Sequence, residues 1–115
     1  MIEPIFKLGY EVVVTAHVAH LQTKSYSRHK TLNEVYDELP GMLDSLLESW
    51  QGKYGTVIKY IGALTVGDDS SFEAKLDTFD RYISAQVPTM PLDIQDEILA
   101  IQNFVNSIKY KLTLK

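Results

Sequence analysis

Seven residues in the first half of this 115-residue chain carry groups suited to holding a metal ion or moving a proton: His17, His20, His29, Asn33, Asp37, Asp44 and Glu48. Imidazole and carboxylate ligands together suit divalent iron, manganese and zinc. His29 and Asn33 stand four residues apart, as do Asp44 and Glu48, so on a helix each pair projects side by side. On one helix, pair centres fifteen residues apart lie about 22 Å from each other. The two pairs therefore cannot close around one ion inside a single subunit, and a shared site needs a symmetry mate. The plainer reading is a solvated polar face, and spacing alone leaves both open. His20 reads as a helix-end histidine hydrogen-bonded locally, and Asp37 as a solvated acid or a partner for Arg28 or Lys30. Tyr36 and Trp50 read as packing residues.

Helices must position these groups. His29 to Trp50 has Leu32, Val35, Leu39, Met42, Leu46 and Trp50 at steps of three or four, one apolar stripe opposite the polar one. Pro40-Gly41 falls inside it, and the polar stripe keeps its phase across the flaw, so one kinked helix is expected, stopped by Gly52 and Gly55. Ahead of it, Ile5 to Leu21 reads as a helix opened by Pro4, with Phe6, Tyr10, Val13, His17 and His20 along one face. The polar segment from Gln22 to Arg28 joins the two as antiparallel neighbours. Thr56 to Val66 lacks a clear period and is either a helical turn or an extended segment over the bundle. Ser70 and Glu73 have capping-box spacing for a third helix with Phe72, Leu76, Phe79 and Ile83 inside, ended by Pro88. Pro91 and Asp93 open a fourth, with Ile94, Ile98, Ile101, Val105, Ile108 and Leu112 on its apolar stripe. Four amphipathic helices predict an all-α antiparallel four-helix bundle.

Composition narrows the functions. One domain over residues 1–115 fits this length. A net charge of −4 provides no global attraction to nucleic acid or anionic lipid, and Lys109, Lys111 and Lys115 suit a helix C-terminus. The absence of cysteine removes disulfides and thiolate sites. No leader-like N-terminus and no apolar run long enough for a membrane span are visible, so a cytoplasmic location is expected.

The order His17, His29, Asn33, Asp44 and Glu48, within the text HKTLNEVYDELPGMLDSLLE, resembles the ferroxidase signature and second helix of the Dps-type mini-ferritins. Residues Asp69 to Ala85 and Leu92 to Leu114 are similar to that family's third and fourth helices. The resemblance implies a ferritin-like bundle that binds iron or another divalent metal at a two-fold dimer interface. His17, His29 and Asn33 would come from one subunit and Asp44 and Glu48 from its mate, within a homo-oligomer. It implies ferroxidase-like activity, weakened because Asn33 replaces an acid; Val18 stands where the family has a tryptophan. The lysine-bearing extension that the family uses on DNA is absent, so DNA binding is not implied. The rival from a different class is a metal-free helical bundle that serves as an oligomeric binding or scaffold protein. A nucleic-acid mimic is a third reading, for which fifteen acids against eleven bases is a mild imbalance.

Overall fold

Helices form where apolar residues recur at helical steps. The computed structural model, which describes residues 2–115, has α1 over Glu3–Gln22, α2 over Tyr26–Tyr54, α3 over Phe72–Gln86 and α4 over Leu92–Lys111. No strand occurs among the described residues, so the all-α four-helix bundle expected from the sequence is the observed fold.

The ends of the helices follow local chemistry. Pro4 sits in the first turn of α1, where its missing N–H costs nothing. Ser25 caps α2 by accepting from the Arg28 N–H at 3.2 Å. At the other end Gly55 adopts φ 64°, a left-handed conformation that glycine reaches without strain, and its N–H closes on the Gln51 carbonyl. Gly52, expected to share in the stop, lies inside the helix. Pro40 also lies inside α2, which continues through it as one helix. An interior proline costs about 3 kcal/mol; burial of Leu39, Leu43, Leu46 and Leu47 around it offsets that cost.

The expected cap at Ser70 is corrected. Asp68 is the N-cap of a short 3₁₀ turn, Asp69–Ser71, and forms a reciprocal box with Ser71. A carboxylate two residues earlier out-competes the Ser70 hydroxyl, which itself donates to Asp68, while Glu73 turns towards Arg28. Pro88 does not meet α3 directly, because Val87–Thr89 forms a second 3₁₀ turn beyond Gln86.

Side-chain ties between helix ends fix the topology. Residues 23–25 turn α1 back into α2. Lys53 meets Asp93 at 3.0 Å and Lys111 meets Glu34 at 2.7 Å, so α4 runs antiparallel to α2. Arg28 ties the start of α2 to the start of α3 through Asp69 and Glu73, each at 2.6 Å, so α3 runs antiparallel to α1. Helices α1 and α4 each pack on α2 and α3, and every packed pair is antiparallel. The link from α2 to α3 must therefore travel the length of a molecule measuring 45 × 27 × 21 Å.

That link, residues 56–68, lies extended beside α1, one of the two arrangements left open for Thr56 to Val66. It has no ladder partner for its amides. Side chains supply the acceptors instead: Gln51 for the Ile58 N–H at 2.7 Å, Glu3 for Lys59 at 3.2 Å, Glu11 for Thr65 at 2.9 Å and Thr15 for Gly67 at 3.0 Å. Glu11 is buried in this role and also receives Lys75. A strand-like segment is thereby held without a sheet.

One contiguous core fills the bundle. Leu32, Val35, Leu39 and Leu46 of the expected α2 stripe are buried; Met42 and Trp50 are only partly so, and Leu43 and Leu47 complete the face. On α1 the core residues are Ile5, Gly9, Val12, Ala16 and Ala19, while Phe6, Tyr10 and His17 lie along the seam with α2. A Cβ on Gly9 would stand 2.7 Å from Leu43 Cδ1 and 3.3 Å from Phe79 Cε1, so only glycine lets α1 approach this closely. The α3 and α4 stripes are buried as read, with Leu112 at the edge.

Candidate functional site

The α1–α2 seam gathers the imidazoles at the end where the two helices turn. His17 stacks flat on Tyr36 with ring centroids 4.2 Å apart and planes at 3°. His20 lies 4.4 Å from His29 and meets the Tyr36 ring edge-on at 5.0 Å. Tyr26, strongly exposed, stacks beyond His29 at 6.5 Å. Sequence spacing places His17 and His20 one turn apart on α1, and the three-residue turn brings His29 and Tyr36 opposite them.

Hydrogen bonds commit most of these polar atoms internally. His20 Nδ1 bonds the His17 carbonyl at 2.9 Å, and His29 Nδ1 bonds the His20 carbonyl at 2.8 Å; as donors, both rings leave Nε2 as the remaining site. Tyr36 Oη lies 3.2 Å from His20 Nε2 and 2.5 Å from Asn33 Oδ1. Asn33 Nδ2 in turn donates to Asp37 Oδ2 at 3.0 Å. Tyr36 has a single hydroxyl proton. The Asn33 carbonyl oxygen can only accept, so that proton serves Asn33. His20, Tyr36, Asn33 and Asp37 thus form a four-residue hydrogen-bonded chain.

The expected ligands divide accordingly. His17, His29 and Asn33 belong to one cluster, joined through His20 and Tyr36. Asp44 and Glu48 stand exposed further along α2, beyond the reach of that cluster, as the axial rise requires. Among the described residues no three His, Asp or Glu side chains converge in a way that could hold an ion. His20 is hydrogen-bonded locally as expected, yet it is also the hub of the cluster. Its i+3 spacing from His17 was the available signal. Asp37 bonds Asn33 and neither Arg28 nor Lys30. Tyr36 packs, as expected, and also carries a hydrogen bond.

Charges elsewhere on the chain are mostly structural. Arg28 donates to Asp69 and to both Glu73 oxygens; these bonds raise its basicity despite burial, and the Arg28 hydrogen bond holds the Glu73 carboxyl below its ordinary value. Lys109 bonds Asp80 at 2.6 Å, which pushes its ammonium pKa up. Lys109 and Lys111 stand in the last turn of α4, as expected, and also pair with Asp80 and Glu34. Burial, followed by the Asp44 charge, pushes the Tyr10 phenol up. No helix among the described residues is long and apolar enough to cross a membrane.

Residues 20–112 match a family of unknown function, DUF5856, and the chain belongs to that family. It is also similar to an uncharacterized 14.6 kDa protein of the mobD-ri intergenic region of Enterobacteria phage T4. The two are 31% identical over 103 residues, a stretch covering 86% of this chain and 77% of the phage protein. No solved structure matches the chain. These relationships overturn the resemblance to Dps-type mini-ferritins, since the family that the chain matches is a different one and neither match is to a ferritin-like protein. The pattern misled for a physical reason. Residues four apart are neighbours on any exposed helix face, and a short turn between antiparallel helices brings histidines together whatever the family.

Proposed function

Within this family of unknown function, we propose that the chain is an oligomeric binding or scaffold protein that pairs with a second copy of itself across the outer edge of α2 and needs no metal to do so. The observation that carries this reading is the polarity of that edge. His29, Lys30 and Asn33 lie towards its start, Asp44 and Glu48 towards its end, and Lys30, Asp44 and Glu48 have no ion-pair partner among the described residues. A two-fold axis crossing α2 between Glu38 and Leu39 sets His29 of one copy opposite Glu48 of the other, and Asn33 opposite Asp44. Each contact then occurs twice, as isologous pairing requires. The half-exposed rings of the α1–α2 seam flank this edge and supply apolar area beside the charges.

An exposed ion pair contributes about 0.2–1 kcal/mol. Lys30 is the cation that faces these acids, and the two-fold doubles its contact, so reversing both acids should weaken self-association several-fold to about tenfold. Sedimentation equilibrium of the parent chain and of Asp44→Lys/Glu48→Lys tests this. Addition of Lys30→Glu to that variant should restore part of the affinity. A chelator should leave the dimer mass unchanged; dissociation on chelation would point instead to an ion bridging the imidazole end of one copy and the acid end of the other.

A further inference from the structure

The seam between α2 and α4 closes at its two ends, through Lys53 with Asp93 and Lys111 with Glu34, and opens between them. Gly41, Ser45 and Ala100 are too small to fill the middle, where a groove of about 460 Å³ has Met42 and Phe104 on its floor and Glu38 and Glu97 on its walls. Met42 and Phe104 are partly buried and pack against the core. The hydroxyls of Ser45, at 2.8 Å, and Ser49 both donate to Glu97, which orients its carboxylate without neutralising it. Neither Glu38 nor Glu97 has an ion-pair partner among the described residues.

The charge around this groove is one-sided. The acids with neither a cation nor a backbone amide as partner are Asp37, Glu38, Asp44, Glu48, Asp96 and Glu97, all on α2 or α4. Of the lysines without an acid, only Lys30 lies on either helix, in the first turns of α2. An apolar trench between uncompensated carboxylates suits an occupant that is both apolar and cationic.

We infer that this α2–α4 groove docks an amphipathic, cationic helix of a partner protein. Two lysine or arginine side chains of that helix reach Glu38 and Glu97, and the apolar residues between them cover Met42 and Phe104. The spacing is specific. Ser45 and Ser49, which hold Glu97, stand seven and eleven residues beyond Glu38, so its carboxylate lies at least two helical turns, about 10.5 Å, along α2 from Glu38. The occupant therefore carries its cations at i and i+7, with apolar residues at i+3 and i+4. Gly41, Ser45 and Ala100 let its backbone come close. On α2 this groove faces α4, about a third of a turn round the helix from the edge proposed for self-pairing, and the inference stands apart from that reading.

Two fluorescein-labelled synthetic helical peptides of equal composition test it, one with lysines at i and i+7 around two leucines, the other with the lysines moved to i and i+5. Anisotropy should show the first binding at least about tenfold more tightly than the second, because only its cations reach both acids. Glu38→Gln/Glu97→Gln should weaken the first peptide by a similar factor, and Phe104→Ala should do so without altering its salt dependence; circular dichroism confirms that each variant is folded. Amide chemical shifts should move around Gly41, Met42 and Ala100. Equal binding of the two peptides, binding indifferent to Glu38→Gln/Glu97→Gln, or no binding to the folded parent chain would overturn the inference. So would dissociation of the self-paired form by Glu97→Gln alone, which would make a second copy the occupant.

Discussion

Arg28 joins three separate pieces of this chain: α2, the 3₁₀ turn and α3. It stands one turn into α2 and reaches Asp69 and Glu73 at the start of α3, with four hydrogen bonds to side-chain and backbone oxygens. Arg28→Ala should destabilise the protein by about 1–2 kcal/mol in urea unfolding, the low end for charged hydrogen bonds, because Glu73 is half exposed. The same contact predicts a pH dependence. The Arg28 hydrogen bond holds the folded Glu73 carboxyl below its ordinary value, so its contribution is complete above that ordinary value and is lost as pH falls through the lower folded one. Lys109 has the opposite sign. Its pKa is raised by Asp80, so its contribution is complete below the ordinary lysine value and disappears as pH climbs through the higher folded one. A stability–pH curve for Glu73→Gln should be flatter on the acid side than the parent curve and unchanged on the alkaline side. A parallel acid limb would show that this carboxylate is not linked to folding.

At the scale of elements, α1 has two working sides, one for close packing and one for anchoring the crossover. Gly9→Ala places a methyl within contact distance of Leu43 and Phe79. Overpacking costs about 1–3 kcal/mol, and the gain in helix propensity returns at most about 1 kcal/mol. A net loss in Tm is therefore expected even though alanine is the better helix former. Glu11 anchors residues 56–68 through the Thr65 amide and Lys75. Glu11→Leu should speed hydrogen exchange at Thr65 while the Gly67 amide, held by Thr15, keeps its protection; simultaneous loss at both would mean that the crossover is released as one unit. The helices themselves were legible because their signals are local: steps of three and four in α3 and α4, Pro4, Pro91 and Gly55 at the ends. The crossover was not, since its acceptors lie more than fifty residues away for Lys59, Thr65 and Gly67. A glutamate ahead of Val12-Val13-Val14 looks like a solvent-facing residue until the segment above it is known. The imidazole cluster was half legible. His17 and His29 were singled out by spacing, but the same spacing suggested a metal-bearing family to which the chain does not belong. The hub of the cluster, His20, was set aside because a helix-end histidine usually has only a local partner.

At the scale of the whole molecule, the uncompensated acids stand on α2 and α4, and the unpaired cations lie on α1, the turns, the start of α2 and the C-terminus. Such a division matters for association more than for fold. It places opposite charges at the two ends of one exposed α2 edge, which is the requirement for a self-complementary two-fold pairing. Because the chain contains no cysteine, the pairing can be read directly by introducing two. Disulfides form only when Cα atoms come within about 7 Å. In Asn33→Cys/Asp44→Cys, a two-fold axis between Glu38 and Leu39 brings Cys at one position of each copy against the other position of its mate. Mild oxidation should convert this double variant to a covalent dimer, while Asn33→Cys and Asp44→Cys alone stay monomeric on a non-reducing gel. A double variant that remains monomeric, or single variants that cross-link as readily, would contradict self-association across the edge of α2.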